Sequence, residues 1–205
     1  MNNYVIYVAD TETTGLDDRV YDIIELSLYR LSDETQKTWF LKPTNVDHID
    51  DGALRINGHK KEDLLHQTKY GRDTYLDSSK VIVDIENWMM EDGVPHTNRI
   101  LVGHNVSFDR SFMEQLWIKC QSKDSFPFGR RFLDTMTVEL FLDFCKGEMA
   151  EGYSLNNLTK KYGVKNEKAH SAAADTKATR ETFGKQVDYF KKILNVHNKN
   201  LSLDV

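Results

Sequence analysis

Apolar residues fall in short runs along the chain, and the spacing within each run predicts an element. Tyr4-Val5-Ile6-Tyr7-Val8-Ala9 is β-branched and aromatic, the pattern of a buried strand. Residues 22–31 and 36–41, the latter with Trp39 and Phe40, read as two further strands. Their short connections predict an antiparallel meander. Residues 50–66 turn helical in two pieces broken by Asn57-Gly58. Residues 81–90 carry apolar positions at helical spacing, with Ser78 and Ser79 as candidate caps. A strand from Arg99 runs through Gly103-His104-Asn105 into a helix ending near Cys120. Residues 131–134 form a short fifth strand, followed by a helix over 135–145 that Asp134 can cap. Ser154 looks like the cap of a helix over 155–162 stopped by Gly163, and a last helix runs to about Leu194. There is no internal repeat and no linker composition, so we expect one domain over residues 1–194 and a polar, flexible tail over 195–205.

Composition narrows the class. With 40% hydrophobic residues, 3 Pro and 11 Gly in 205 residues, the chain can bury a core and is not of low complexity. Cys120 and Cys145 form no CxxC and have no nearby His, which argues against a zinc site or a disulfide framework. No apolar run reaches membrane-spanning length and no leader pattern opens the chain, so a cytoplasmic protein without a membrane partner is expected. A net charge of -5 is wrong for a protein that coats nucleic acid. An enzyme touching only a strand end remains compatible, especially if bound cations supply the positive charge.

The candidate chemistry starts at Asp10-Thr11-Glu12. Two carboxylates at i and i+2 on a strand share one face, repel each other, and suit a hard cation such as Mg²⁺ or Mn²⁺. Asp109 falls in the first turn of a helix leaving a strand end, where the helix dipole alone would favour an acid. His170 and Asp175 would lie about 140° apart if both were helical. They can share a site only if His170 sits on the loop before the helix and Asp175 on its first turns. Ala172, Ala173 and Ala174 would let that turn pack closely on a sheet, or are simply good helix formers.

Taken together, Asp10-x-Glu12, His104-Asn105-x-x-Phe108-Asp109 and His170-x-x-x-x-Asp175 resemble the three-part signature of the DEDDh 3′-5′ exonucleases. From about residue 3 to 190 the chain is similar to the proofreading epsilon subunit of bacterial DNA polymerase III, and also to ribonuclease T and oligoribonuclease. Asp10-Thr11-Glu12-Thr13-Thr14-Gly15-Leu16, Leu133-Asp134-Thr135 and the stretch from Tyr153 to Leu158 support the likeness. Position 171 is Ser, not Tyr, which places the chain in the histidine branch. The resemblance implies an α/β, ribonuclease H-like fold: a mixed five-stranded sheet, its first three strands antiparallel, with helices on both sides.

It also implies roles. Asp10, Glu12, Asp109 and Asp175 would hold two divalent ions, Mg²⁺ or Mn²⁺, and His170 would take the proton from the attacking water. Glu12 and the backbone at Thr13 would contact the terminal 3′ hydroxyl, and Leu16 and Phe108 would pack on the last bases of a single-stranded or frayed end. For Phe108 a core role is as good a reading, and His104 and Asn105 read as structural hydrogen-bonding residues. Lys160, Lys161, Lys165 and Lys168 either steer phosphate or form a solvated face. DNA is preferred over RNA as substrate, with RNA trimming and an inactive binding module as alternatives. Partners such as a DNA polymerase, or a sliding clamp reached through residues 200–204, are weaker expectations.

Overall fold

The computed structural model describes residues 4–69, 72–122 and 125–197. Strands β1 (Val5–Thr13), β2 (Ile23–Arg30) and β3 (Thr35–Phe40) form the meander. Helices α1 (Asp51–Asn57) and α2 (Lys61–His66) follow, then a small hairpin of β4 (Thr68–Lys69) and β5 (Arg72–Asp73), and α3 (Ser78–Met90). After β6 (Arg99–Gly103) come α4 (Val106–Lys119), β7 (Phe132–Asp134), α5 (Thr135–Lys146), α6 (Leu155–Tyr162) and α7 (Ala172–His197).

The main sheet has the order β3-β2-β1-β6-β7, with β1, β2 and β3 antiparallel and β6 and β7 parallel to β1. The expected ribonuclease H-like architecture is therefore the one observed. Alternation along β1 divides the two faces. Val5, Tyr7 and Ala9 join a core with Val81, Ile85 and Met89 of α3 and Phe112, Met113 and Leu116 of α4. Ile6 and Val8 point the other way, with Tyr29, Val102 and Phe183 of α7. Continuing that alternation sends Asp10 and Glu12 toward α7 and Thr11 toward α4.

Several details differ from the sequence pattern. β1 does not stop at Ala9, because β2 keeps pairing with it: Asp10 lies opposite Ser27 and Glu12 opposite Glu25. Past Glu12 the register shifts, Thr13 pairing with Ile23, so Ile24 is a bulge residue and turns into a second cluster with Leu54, Leu64 and Tyr75. Ser78 and Ser79 are not caps; Asp77 takes the N-cap position, without a side-chain bond, and Ser78 is buried. The hairpin β4–β5 has strands of two residues, too short to leave a periodicity. Gly15 is required by contact rather than by an unusual φ: a Cβ there would come 2.4 Å from the Tyr21 ring. The last helix runs three residues beyond Leu194. Residues 198–205, with the clamp-like stretch, lie outside the described residues. Among the described residues no helix is long and apolar enough to cross a membrane.

Candidate active site

Three carboxylates meet where β1 passes the start of α7. Oxygens of Asp10, Glu12 and Asp175 all lie within 4.8 Å of one another. Asp10 and Glu12 come from the α7-facing side of β1. Asp175 arrives because α7 starts with small residues: Ala172 is fully buried, as is Thr176, whose hydroxyl donates to the Ser27 carbonyl of β2 at 3.4 Å. Larger side chains in that first turn would hold the helix off the sheet.

Asp109 reaches the cluster from the opposite face. β6 ends at Gly103, where a Cβ would meet Val106 at 2.8 Å, and Asn105 then adopts a left-handed backbone, φ 58°, as the N-cap position of α4. The Asn105 N–H donates to Asp134 Oδ1 at 2.9 Å, which also accepts from Met136 N–H and so caps α5, as expected. This turn sets Asp109, 4% exposed, against β1. Its Oδ1 accepts from both the backbone N–H and the hydroxyl of Thr11, each at 2.8 Å.

The electrostatics follow from this crowding. Burial, then the negative charges of Asp109, Asp175, Glu12 and Glu25, push the Asp10 carboxyl well above the ordinary range. Burial also pushes Asp109 up, to about 7, although the two bonds from Thr11 oppose it. Such a set of hard oxygen donors, repelling one another, is what a divalent cation would relieve.

His170 occupies the loop before α7, as the spacing required, with φ 67°. Its backbone N–H donates to Asp175 Oδ2 at 2.8 Å, while Asn166 Nδ2 donates to Oδ1, and its imidazole is exposed. Leu16 is 83% exposed on the turn after β1. Thr13 is buried, its hydroxyl donating to the Gly15 carbonyl and its own carbonyl accepting from Asn57 Nδ2 at 3.1 Å. Phe108 is half-buried and packs against the core and on Phe112, ring centroids 4.8 Å apart, one residue before Asp109.

Other residues have structural roles. His104 Nδ1 lies 3.0 Å from the Thr135 hydroxyl, and burial pulls its pKa down. Lys161, though partly exposed, is paired: its Nζ lies 2.7 Å from both Glu139 and Asp143 of α5. Lys160, Lys165 and Lys168 are exposed.

The sequence pattern did not single out Asn166, Thr11 as the partner of Asp109, or Glu25. Only Glu25 left a usable signal, a lone acid inside the apolar run Ile23–Leu28.

A family model described as exonuclease, RNase T type, matches residues 7–183. A PolC-type DNA polymerase III of Staphylococcus aureus (strain bovine RF122 / ET3-1) is 29% identical over 202 residues, which are 96% of this chain and 12% of the polymerase. The chain thus spans about an eighth of that relative's length. Among solved structures, the zinc-bound complex of Escherichia coli exonuclease I with single-stranded DNA superposes with a TM-score of 0.73 at 20% identity, over 95% of this chain and 42% of that one. Cell-death related nuclease 4 superposes with a TM-score of 0.70 at 12% identity, over 90% of this chain and 64% of that one.

Proposed function

We propose, from the premise that this chain belongs to the exonuclease family of the RNase T type, that it removes nucleotides from the 3′ end of single-stranded DNA, releasing nucleoside 5′-monophosphates. The observation that carries this reading is the meeting of Asp10, Glu12 and Asp175 within 4.8 Å, with Asp109 fastened to Thr11 between the first two.

The donor set fits Mg²⁺ or Mn²⁺: carboxylate oxygens only, partly buried, and mutually repelling. Asp10, Glu12, Asp109 and Asp175 would hold two such ions, which when bound lower the pKa of a water and stabilise charge on the leaving oxygen. His170, exposed beside Asp175, takes the proton of the attacking water. As that oxygen bonds to phosphorus, the bond to the 3′ oxygen of the preceding nucleotide breaks, and solvent supplies the proton that oxygen needs. Glu12 and the backbone at Thr13 contact the terminal 3′ hydroxyl. Leu16, projecting from its turn, and Phe108, half-buried one residue before Asp109, pack against the last bases, a contact indifferent to base identity.

DNA is the favoured substrate because the sequence relative is a DNA polymerase and a structural neighbour is complexed with single-stranded DNA. Likeness to a segment of a polymerase also supports a proofreading setting, beside a polymerase or as part of one.

The test is degradation of 3′- and 5′-labelled single-stranded DNA and RNA of matched sequence, with Mg²⁺ or Mn²⁺, alongside Asp10→Ala and His170→Ala. Metal-dependent shortening from the 3′ end, lost in both variants and faster on DNA, is expected. Folded, metal-supplied protein that cleaves neither substrate would overturn the proposal, and a faster rate on RNA would replace proofreading by RNA trimming.

A further inference from the structure

Glu25 stands directly across the β1–β2 ladder from Glu12 and is 1% exposed. Like charges at facing positions repel, and burying a carboxylate is costly, so an apolar residue would suit this strand better on stability alone. Its bonds point to what it does. Oε1 accepts from Ser171 Oγ at 3.2 Å and from the Ala173 N–H at 3.4 Å, both at the entry to α7. Oε2 lies 3.1 Å from His59 Nε2, and His59 Nδ1 lies 2.7 Å from the Tyr75 hydroxyl, with both rings buried. His59 follows the left-handed Gly58 that ends α1, the helix whose Asn57 holds the Thr13 carbonyl.

The segment 170–173 is therefore fixed at two places. The His170 N–H is tied to Asp175, and the next residues are tied to Glu25. Between those anchors His170 keeps a left-handed backbone that an unrestrained histidine rarely adopts. We infer that Glu25, braced by His59 and Tyr75, is a positioning residue for His170, holding its loop so that the imidazole faces the three carboxylates. This rests on the proposed role of His170 as base. Glu25 itself acts through the loop and not on the substrate.

Steady-state kinetics on labelled single-stranded DNA with Mg²⁺ test it, using Glu25→Ala, Glu25→Gln and Ser171→Ala in both the unaltered and the His170→Gln protein. Glu25→Ala is expected to lower kcat by roughly 10- to 100-fold with KM within about twofold, the pattern of lost orientation. Glu25→Gln keeps an oxygen for Ser171 and Ala173 and should recover to within about threefold, while Ser171→Ala costs about 3- to 10-fold. In the His170→Gln protein each change should cost less than about twofold more. Equal losses in both backgrounds would overturn the inference while leaving the loss from His170→Gln, and so the base, in place. A loss carried by KM alone would also overturn it. If His170→Gln costs nothing, the base assignment itself fails. Ser171 is only half-buried, so its variant carries the test if Glu25→Ala does not fold.

Discussion

Asp109 and Thr11 are 98 residues apart, yet one carboxylate oxygen takes both the N–H and the hydroxyl of Thr11 at 2.8 Å. Because Thr11 lies between Asp10 and Glu12, those bonds lock the first turn of α4 to the part of β1 that carries the other acids. The lock opposes burial, which raises Asp109 to about 7. An unfolded Asp ionises near pH ~4. In metal-free protein the folded state keeps this proton up to about pH 7, so stability falls as pH rises between the two values, and the full penalty applies above 7. Asp109→Asn keeps an acceptor and removes the charge. It should stabilise the metal-free protein by about 2–4 kcal/mol at pH 8 and by nothing below about pH 4. Urea melts in chelator across that range check this; a gain independent of pH would contradict it.

Divalent ions should reverse the penalty. Asp10 is raised by burial and by four neighbouring carboxylates, and Asp109 is raised to about 7, so binding must displace protons and should weaken as pH falls from 8 to 6. At a hundredfold excess over Kd, Mg²⁺ or Mn²⁺ should add about 2.7 kcal/mol of stability. That gain should vanish in Asp10→Asn. Thermal melts with and without metal, and calorimetry in buffers of different ionisation enthalpy, read out the stabilisation and the proton release.

The legible parts of this molecule were those written in short-range pattern. β1, α4 and the entry to α7 each carry a motif on an element with clear periodicity, so the acids and His170 could be placed in order along the chain. Their meeting depends on features that pattern does not encode. The β1–β2 ladder extends past the apolar run, a stretch that polar composition hid, and it sets Glu25 opposite Glu12. The side chain of Asn166 reaches Asp175, nine residues on, across the turn that precedes α7, a relation no periodicity reports. Lys161 looked like any lysine on a basic helix end until α5 and α6 were brought together.

That lysine makes a stability prediction. Burial pushes Glu139 and Asp143 up, but the bonds from Lys161, joined at Glu139 by Tyr162 and Gln186, outweigh it and hold both carboxyls below their ordinary values. Stability from such depressed groups is present above the unfolded values, about 4, and is lost as pH falls through the lower folded ones. Lys161→Met removes the cation the two buried carboxylates share and leaves, among the described residues, only Lys146, 3.5 Å from Asp143, to offset them. Because Lys161 is itself partly exposed, the cost is expected at about 1–3 kcal/mol at pH 7 and smaller at about pH 3, below the unfolded carboxyl values. Chemical denaturation at the two pH values checks it, and a cost equal at both would show that packing, not charge, was lost.

Leu16 separates recognition from folding most cleanly. At 83% exposure it contributes little to the core, so Leu16→Ser should shift Tm by less than about 1 °C. If its side chain packs against the terminal base, the same change removes a contact worth about 1–2 kcal/mol, raising KM for a single-stranded 3′ end by roughly 5- to 30-fold. kcat should move far less, because the carboxylates and His170 are untouched. Phe108→Ala gives the contrast. That ring packs on Phe112 and the core, so it should lower stability as well as weaken binding. Kinetics and melts on the two variants together decide the matter. A Leu16→Ser protein with unchanged KM would place the terminal base away from Leu16, while unchanged binding in Phe108→Ala with reduced stability would assign that ring to the core alone.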